Sequence, residues 1–342
     1  MALTISPQQA VRVAQITGNG PGQTGRWQMG GADLGVMWCN PDTNVTFHVF
    51  GDNFKTVQEP SPFSGPVGSG WKPNALGRST FVDFRGGVTW NDFNVDSKGD
   101  RAPILPLLPG EDGCVPTGGI HVNGTDYLAY VVFSAGHTDQ SQTNAGGTAQ
   151  STDGGKTWQR NFNCFWSQNA QLTDPFQQSA FAYDWVNGGQ YVYRFTTQSS
   201  RAGDIHLLRC PTTGVANKST YQYWTGSAWT SDETEVGILI PGPAGEMSAR
   251  YDYLLNVWYV MYHDDDAGYT VFQYAPSPTG PWSAKLNIFP DSAQQPYGIY
   301  APEIHPQSSG TSLFFCGSDW NTYETYLFHS NLDVSCSRRA TA

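Results

Sequence analysis

Two aspartates, Asp33 and Asp52, flank a candidate β-hairpin in this 342-residue sequence. The runs Asp33-Leu-Gly-Val-Met-Trp-Cys-Asn40 and Val45-Thr-Phe-His-Val-Phe-Gly-Asp-Asn-Phe54 are rich in β-branched and aromatic residues. Pro41-Asp-Thr-Asn44 between them has turn chemistry. With the turn there, Asn40 faces Val45, and counting outward residue for residue brings Asp33 opposite Asp52. Directly opposed residues of an antiparallel pair sit about 4.5–5.5 Å apart at Cβ. Two carboxylates so placed repel each other. That suits acid–base or nucleophilic work, in which one group keeps its proton and the other loses it. The plainer alternative is two solvated strand-end aspartates.

The elements that must position these residues are short strands. Val45–Phe50, Val88–Trp90, Tyr127–Phe133, Tyr191–Phe195, Ile205–Leu208, Val257–Tyr262, Tyr269–Tyr274 and Ser312–Cys316 all read as strands, with Gly-rich or Asn-Gly turns between them. Ser6–Val13 is the one stretch with a turn or two of helical pattern. Ser151-Thr-Asp-Gly-Gly-Lys-Thr-Trp158 matches an Asp-box, in which the Asp bonds turn amides and glycine permits positive φ. Asp153 is therefore a structural residue. Tyr223–Trp229 and Ser277–Trp282 echo the box as turns closing on a Trp. Asp-boxes mark the outer hairpins of propellers, and 342 residues at four strands a blade make a single all-β domain of five blades, with six the alternative.

In a propeller the innermost strands start at one face, so polar residues at such starts are site candidates. They are Asn74 and Asp83 around Leu76–Thr80, Thr117, Glu246 with Arg250, Glu303, and Trp320 with Tyr323 as stacking platforms. Glu246, Arg250 and Glu303 suit bonds to sugar hydroxyls. His263-Asp-Asp-Asp266 could hold a structural calcium ion, but such a run is more often a solvated turn, and the chemistry requires no cofactor. No Gly-rich phosphate loop and no Gly-x-Ser-x-Gly elbow is present.

The net charge of −11 disfavours nucleic acid, anionic membranes and anionic polysaccharides as partners, whereas a neutral polymer and abundant Trp and Tyr are compatible. No apolar run approaches membrane-spanning length, and no signal peptide is visible. The six cysteines lack C-x-x-C spacing and permit three disulfides without requiring them.

Asp33-Leu-Gly, Phe50-Gly-Asp52, Asn74-Ala-Leu-Gly, Val115-Pro-Thr-Gly-Gly119, Tyr223-Trp-Thr-Gly-Ser-Ala-Trp229, Gly245-Glu-Met-Ser248 and Ser318-Asp-Trp-Asn-Thr-Tyr323 occur in this order. In this the chain resembles the endo-D-arabinanase family of glycoside hydrolases, formerly a domain of unknown function, from about Gly18 to Leu332. The resemblance implies an exported five-bladed propeller that cuts α-linked D-arabinofuranose chains, as found in mycobacterial arabinogalactan and lipoarabinomannan. It also implies that Asp33 and Asp52 are catalytic. Two further readings stay open: a sugar-binding propeller without catalysis, and a sialidase, for which the sequence advertises no arginine cluster.

Overall fold

Apolar runs such as Val257-Trp-Tyr-Val-Met-Tyr262 do not alternate with polar residues, because both faces of the strand are buried. Val257, Tyr259 and Met261 pack into one hydrophobic cluster and Trp258, Val260 and Tyr262 into another. Strands buried on both faces read as continuous apolar runs. The computed structural model describes residues 2–58, 67–80, 86–134, 143–184, 188–199, 201–289 and 298–337, and is all-β apart from short 3₁₀ turns such as Thr24–Trp27.

Five antiparallel sheets follow one another along the chain, each a blade. Blade 1 runs outward through Gly31–Asn40, Val45–Phe54, Ala75–Thr80 and Trp90–Phe93. Blade 2 comprises Glu111–Val122, Thr125–Ser134, Thr143–Ser151 and Gln159–Ser167. Blade 3 starts at Gln178–Tyr183, Tyr191–Thr197 and Gly203–Pro211, beyond which lie Gln222–Trp224, Trp229–Thr230 and Ile240–Ala244. Blade 4 is Met247–Asp252, Val257–Asp264, Tyr269–Ala275 and Leu286–Asn287. Blade 5 takes Ile299–Ile304, Ser312–Asp319 and Glu324–Ser337 from the C-terminal part. The innermost strands contact one another in ring order around a central axis. Five apolar clusters fill the seams between neighbouring blades. This is a five-bladed β-propeller.

The stretch expected to be helical at Ser6–Val13 instead spans the end of strand Ala2–Pro7, a short connection and the start of strand Val11–Gln15. Both strands pair with Glu324–Ser337, as in Ile5↔Val334 and Val11↔His329, so the N-terminus closes the ring by completing the last blade. Pairing with a strand about 320 residues away overrides a weak local preference. The strand expected at Val88–Trp90 falls at Trp90–Phe93. The six cysteines all carry free thiols, so none of the three permitted disulfides forms.

The Asp-box lies in the hairpin between the two outer strands of blade 2. Asp153 accepts from the Lys156 and Thr157 amides at 3.0 Å each and from the Thr157 and Ser151 hydroxyls, and these bonds hold its pKa down near 2. The two echoes also close outer hairpins, in blades 3 and 4.

Candidate active site

Asp33, Tyr300 and Glu246 stand at or just before the starts of innermost strands of blades 1, 5 and 4, and so at one end of the axis. The hairpin carrying Asp33 turns at Pro41–Asn44 with Asn40 facing Val45, as its composition predicts. The regular count does not continue to the aspartates. Val36↔Val49 and Ala32↔Asn53 keep it, but between them Leu34 pairs with Phe50. Gly35 is thus extra on one strand, and Gly51 and Asp52 together face Asp33 on the other. Leu34 (φ +64°) and Gly35 (φ +101°) make this double irregularity. Left-handed backbone is costly for a leucine, and such strain concentrates at functional sites. Ala301 (φ +49°), next to Tyr300, and Tyr323 (φ +53°), which faces Asp33, are also left-handed.

Asp33 is 6% exposed, and its Oδ2 accepts from the Tyr300 hydroxyl at 3.0 Å. Its Oδ1 has no hydrogen-bond partner and lies over Gly51, where a Cβ would stand 2.6 Å away. Glycine at position 51 is what makes room for the carboxyl. Burial, then the neighbouring charge of Asp52, hold the Asp33 pKa well above the usual carboxylate range, while the phenols of Tyr300 and Tyr323 pull it the other way. Asp52 is half-buried, and its Oδ1 accepts from the indole N–H of Trp71 at 2.8 Å. Burial raises its pKa to about 6, against that hydrogen bond. Two facing carboxyls with burial raising both, and the charge of Asp52 raising Asp33 further, hold one proton between them while the other is lost. Trp71 is 38% exposed, so its ring is open to a ligand while its N–H orients Asp52.

Other expected residues divide. Trp320 is half-buried at the site, edge-on to Tyr300 with ring centroids 5.9 Å apart. Tyr323 reaches the site too, but it is 2% exposed and faces Asp33 rather than offering a stacking surface. Glu246 is present with its carboxylate gripped by Arg201, whose Nε and Nη2 donate at 2.8–3.2 Å. The remaining candidates lie elsewhere. Asn74 is buried and spends its full bonding capacity on the backbone of Ile104, Leu105 and Cys114, so nothing is left for a sugar. Thr117 sits in a bulge and accepts from the Ser179 amide at the seam of blades 2 and 3. Arg250 donates to the carbonyls of His305 and Pro306, tying blade 4 to blade 5. Glu303 lies three residues farther along its strand than Tyr300, where burial raises its pKa and the Met37 amide bonds it. Asp83 lies outside the described residues. In the run His263–Asp266, Asp264 binds Lys285 at 2.7 Å and caps its own turn at Ala267. Among the described residues no three His, Cys, Asp or Glu side chains converge as metal ligands.

Sequence reasoning missed Trp71, Tyr300 and Arg201. Tyr300 opens an innermost strand and so met the same criterion as Glu303; Trp71 and Arg201 lie in irregular segments without a periodic signal.

The propeller resembles solved glycoside hydrolases. It matches an exo-β-1,3-galactanase of Phanerochaete chrysosporium at TM-score 0.59 and 12% identity, over 94% of this chain and 64% of that one. A GH43 β-1,3-galactosidase aligns at TM-score 0.57 and 11% identity, over 93% and 94%. An α-L-arabinofuranosidase of Podospora anserina aligns at 0.52 and 13%, over 96% and 97%. At these identities the likeness establishes the shared fold. No match emerges among curated proteins. A family model covers residues 19–329, which include Asp33, Asp52 and every residue placed around them, and the chain therefore belongs to the family described as a domain of unknown function, DUF4185.

Proposed function

We propose that this chain is an endo-acting glycoside hydrolase of D-arabinan with Asp33 and Asp52 as its reacting pair. The observation that carries the reading is the pair itself, two facing carboxyls at one end of the propeller axis, with burial raising both pKa values and the charge of Asp52 raising Asp33 further, so that one proton is kept while the other is lost. Hydrolysis of a glycosidic bond needs those two states side by side. Asp33 gives its proton to the leaving oxygen as the bond to the anomeric carbon breaks. Ionised Asp52 either takes a proton from the attacking water or itself attacks the anomeric carbon, a choice set by the carboxyl separation. The exposed ring of Trp71, and Trp320 near Tyr300, supply apolar faces for sugars. The acidic chain suits a neutral polymer. The choice of D-arabinan rests on the resemblance of the seven ordered motifs to those of endo-D-arabinanases.

The test is a product profile on purified D-arabinan and L-arabinan side by side. Oligosaccharides released from D-arabinan alone are the expected result. Binding of D-arabinan without release would reassign the chain to sugar-binding propellers, and release only from sialosides would make it a sialidase.

A further inference from the structure

Arg201 touches neither aspartate, yet three blades converge on it. It lies between Tyr191–Thr197 and Gly203–Pro211 of blade 3, in the left-handed region at φ +56°. Its side chain is held from two directions. Glu246, before the first strand of blade 4, binds the guanidinium through both carboxylate oxygens. Tyr300 of blade 5 presents its ring face 5.2 Å from the guanidinium carbon. Gly245 leaves space for the stem; a Cβ there would meet Arg201 Cγ at 3.2 Å. The Tyr300 hydroxyl then reaches Asp33 Oδ2 in blade 1.

We propose that Arg201, braced by Glu246, is a positioning residue for Asp33 that acts through Tyr300. The planar cation fixes the phenol ring, and the ring fixes the hydroxyl on Oδ2. With Oδ2 accepting that bond and Oδ1 enclosed over Gly51, the plane of the Asp33 carboxyl is set. The chain Glu246–Arg201–Tyr300 thus fixes how the Asp33 carboxyl is turned. It rests on the reading of Asp33 as the acid. The charged and titratable groups facing Asp33 are Asp52, Glu246, Tyr300 and Tyr323; those facing Arg201 are Glu246, Tyr300 and Asp265, with His263 close by.

Direct electrostatics and positioning through Tyr300 are separable by a double-mutant cycle on Arg201→Gln and Tyr300→Phe. The first readout is the titration of the Asp33 carboxyl by carbon-13 NMR of aspartate-labelled protein, with the Asp33→Asn spectrum identifying the signal; it needs no substrate. Losing an ordered phenol bond to the carboxylate should move the Asp33 titration to higher pH in Arg201→Gln. The same change made in Tyr300→Phe should move it no further. The second readout is turnover of the glycan that the wild type cuts. Arg201→Gln should lower kcat about 10²-fold with KM nearly unchanged, as misplacement of a reacting group does. Arg201→Lys, which keeps a charge near the ring but loses the two-oxygen grip on Glu246, should not rescue it. Additive effects in the Tyr300→Phe background, or full activity in Arg201→Lys, would overturn the proposal. If the wild type cuts no glycan but the titration cycle behaves as stated, the hydrolase reading fails and the positioning chain stands.

Discussion

Replacing Trp71 with Phe separates its two roles. The substitution keeps most of the aromatic face and removes the indole N–H that bonds Asp52 at 2.8 Å. That bond favours the ionised carboxylate, so without it the Asp52 pKa rises from its value near 6. Hydrogen bonds to charged groups contribute about 1.5–3 kcal/mol, and one pKa unit corresponds to about 1.4 kcal/mol. The ring is 38% exposed, however, and water replaces part of the lost bond. The expected shift is therefore about 0.5–1 unit. In the proposed mechanism Asp52 works ionised, so activity fades as pH falls through its pKa, and Trp71→Phe should move this acid limb to higher pH. The assay is the pH profile of kcat/KM, which reports the free enzyme's groups. The plateau should change little, whereas Trp71→Ala should also raise KM through loss of the sugar-stacking face. An acid limb that stays in place in Trp71→Phe would refute the role of the indole N–H.

Gly51→Ala puts a Cβ 2.6 Å from Asp33 Oδ1, and the displaced acid should lower kcat about 10²-fold; wild-type activity would contradict the tight approach. Asp153→Ala removes the acceptor of the Asp-box turn and should lower stability by about 1–2 kcal/mol, a melting shift of a few degrees, without changing kcat/KM. An unshifted melting temperature would show that the box does not brace the hairpin. Glu324 accepts from the Thr17 hydroxyl, and burial raises its pKa to about 7. The folded state therefore holds a proton that the unfolded chain has released, and stability falls as pH rises from about 4.5 to 7. Glu324→Gln should flatten this part of the urea-midpoint profile; parallel profiles for the two proteins would contradict the sign.

The readable parts of the sequence were those where short-range chemistry decides structure. The Asp-box and the turn at Pro41–Asn44 specify their own hydrogen bonds, so both hairpins form as composition predicts. Apolar runs revealed the strands because each is buried between two blades. What depends on distant partners was not readable. Ser6–Val13 becomes strand only because Glu324–Ser337 is there to pair with it. Asn74 and Arg250 have the polarity of site residues, yet each ties one segment of backbone to another. Tyr323 differs from a stacking platform only by its burial. Trp71 and Arg201 reach the site from loops, where spacing carries no information about direction. Even the aspartates are opposed through two compensating irregularities rather than the regular count.

The central claim is that Asp33 and Asp52 do the chemistry. Burial opposes the charge of both carboxylates, so turning either into an amide removes a group that the fold accommodates at a cost. The decisive measurement compares the wild type with Asp33→Asn and Asp52→Asn, recording the rate of oligosaccharide release from D-arabinan together with the melting temperature at neutral pH. The account predicts that each variant loses at least about 10²-fold in kcat while its melting temperature holds or rises. A variant that melts normally and keeps more than about a tenth of wild-type activity would contradict the account, because loss of a general acid or base costs more than that.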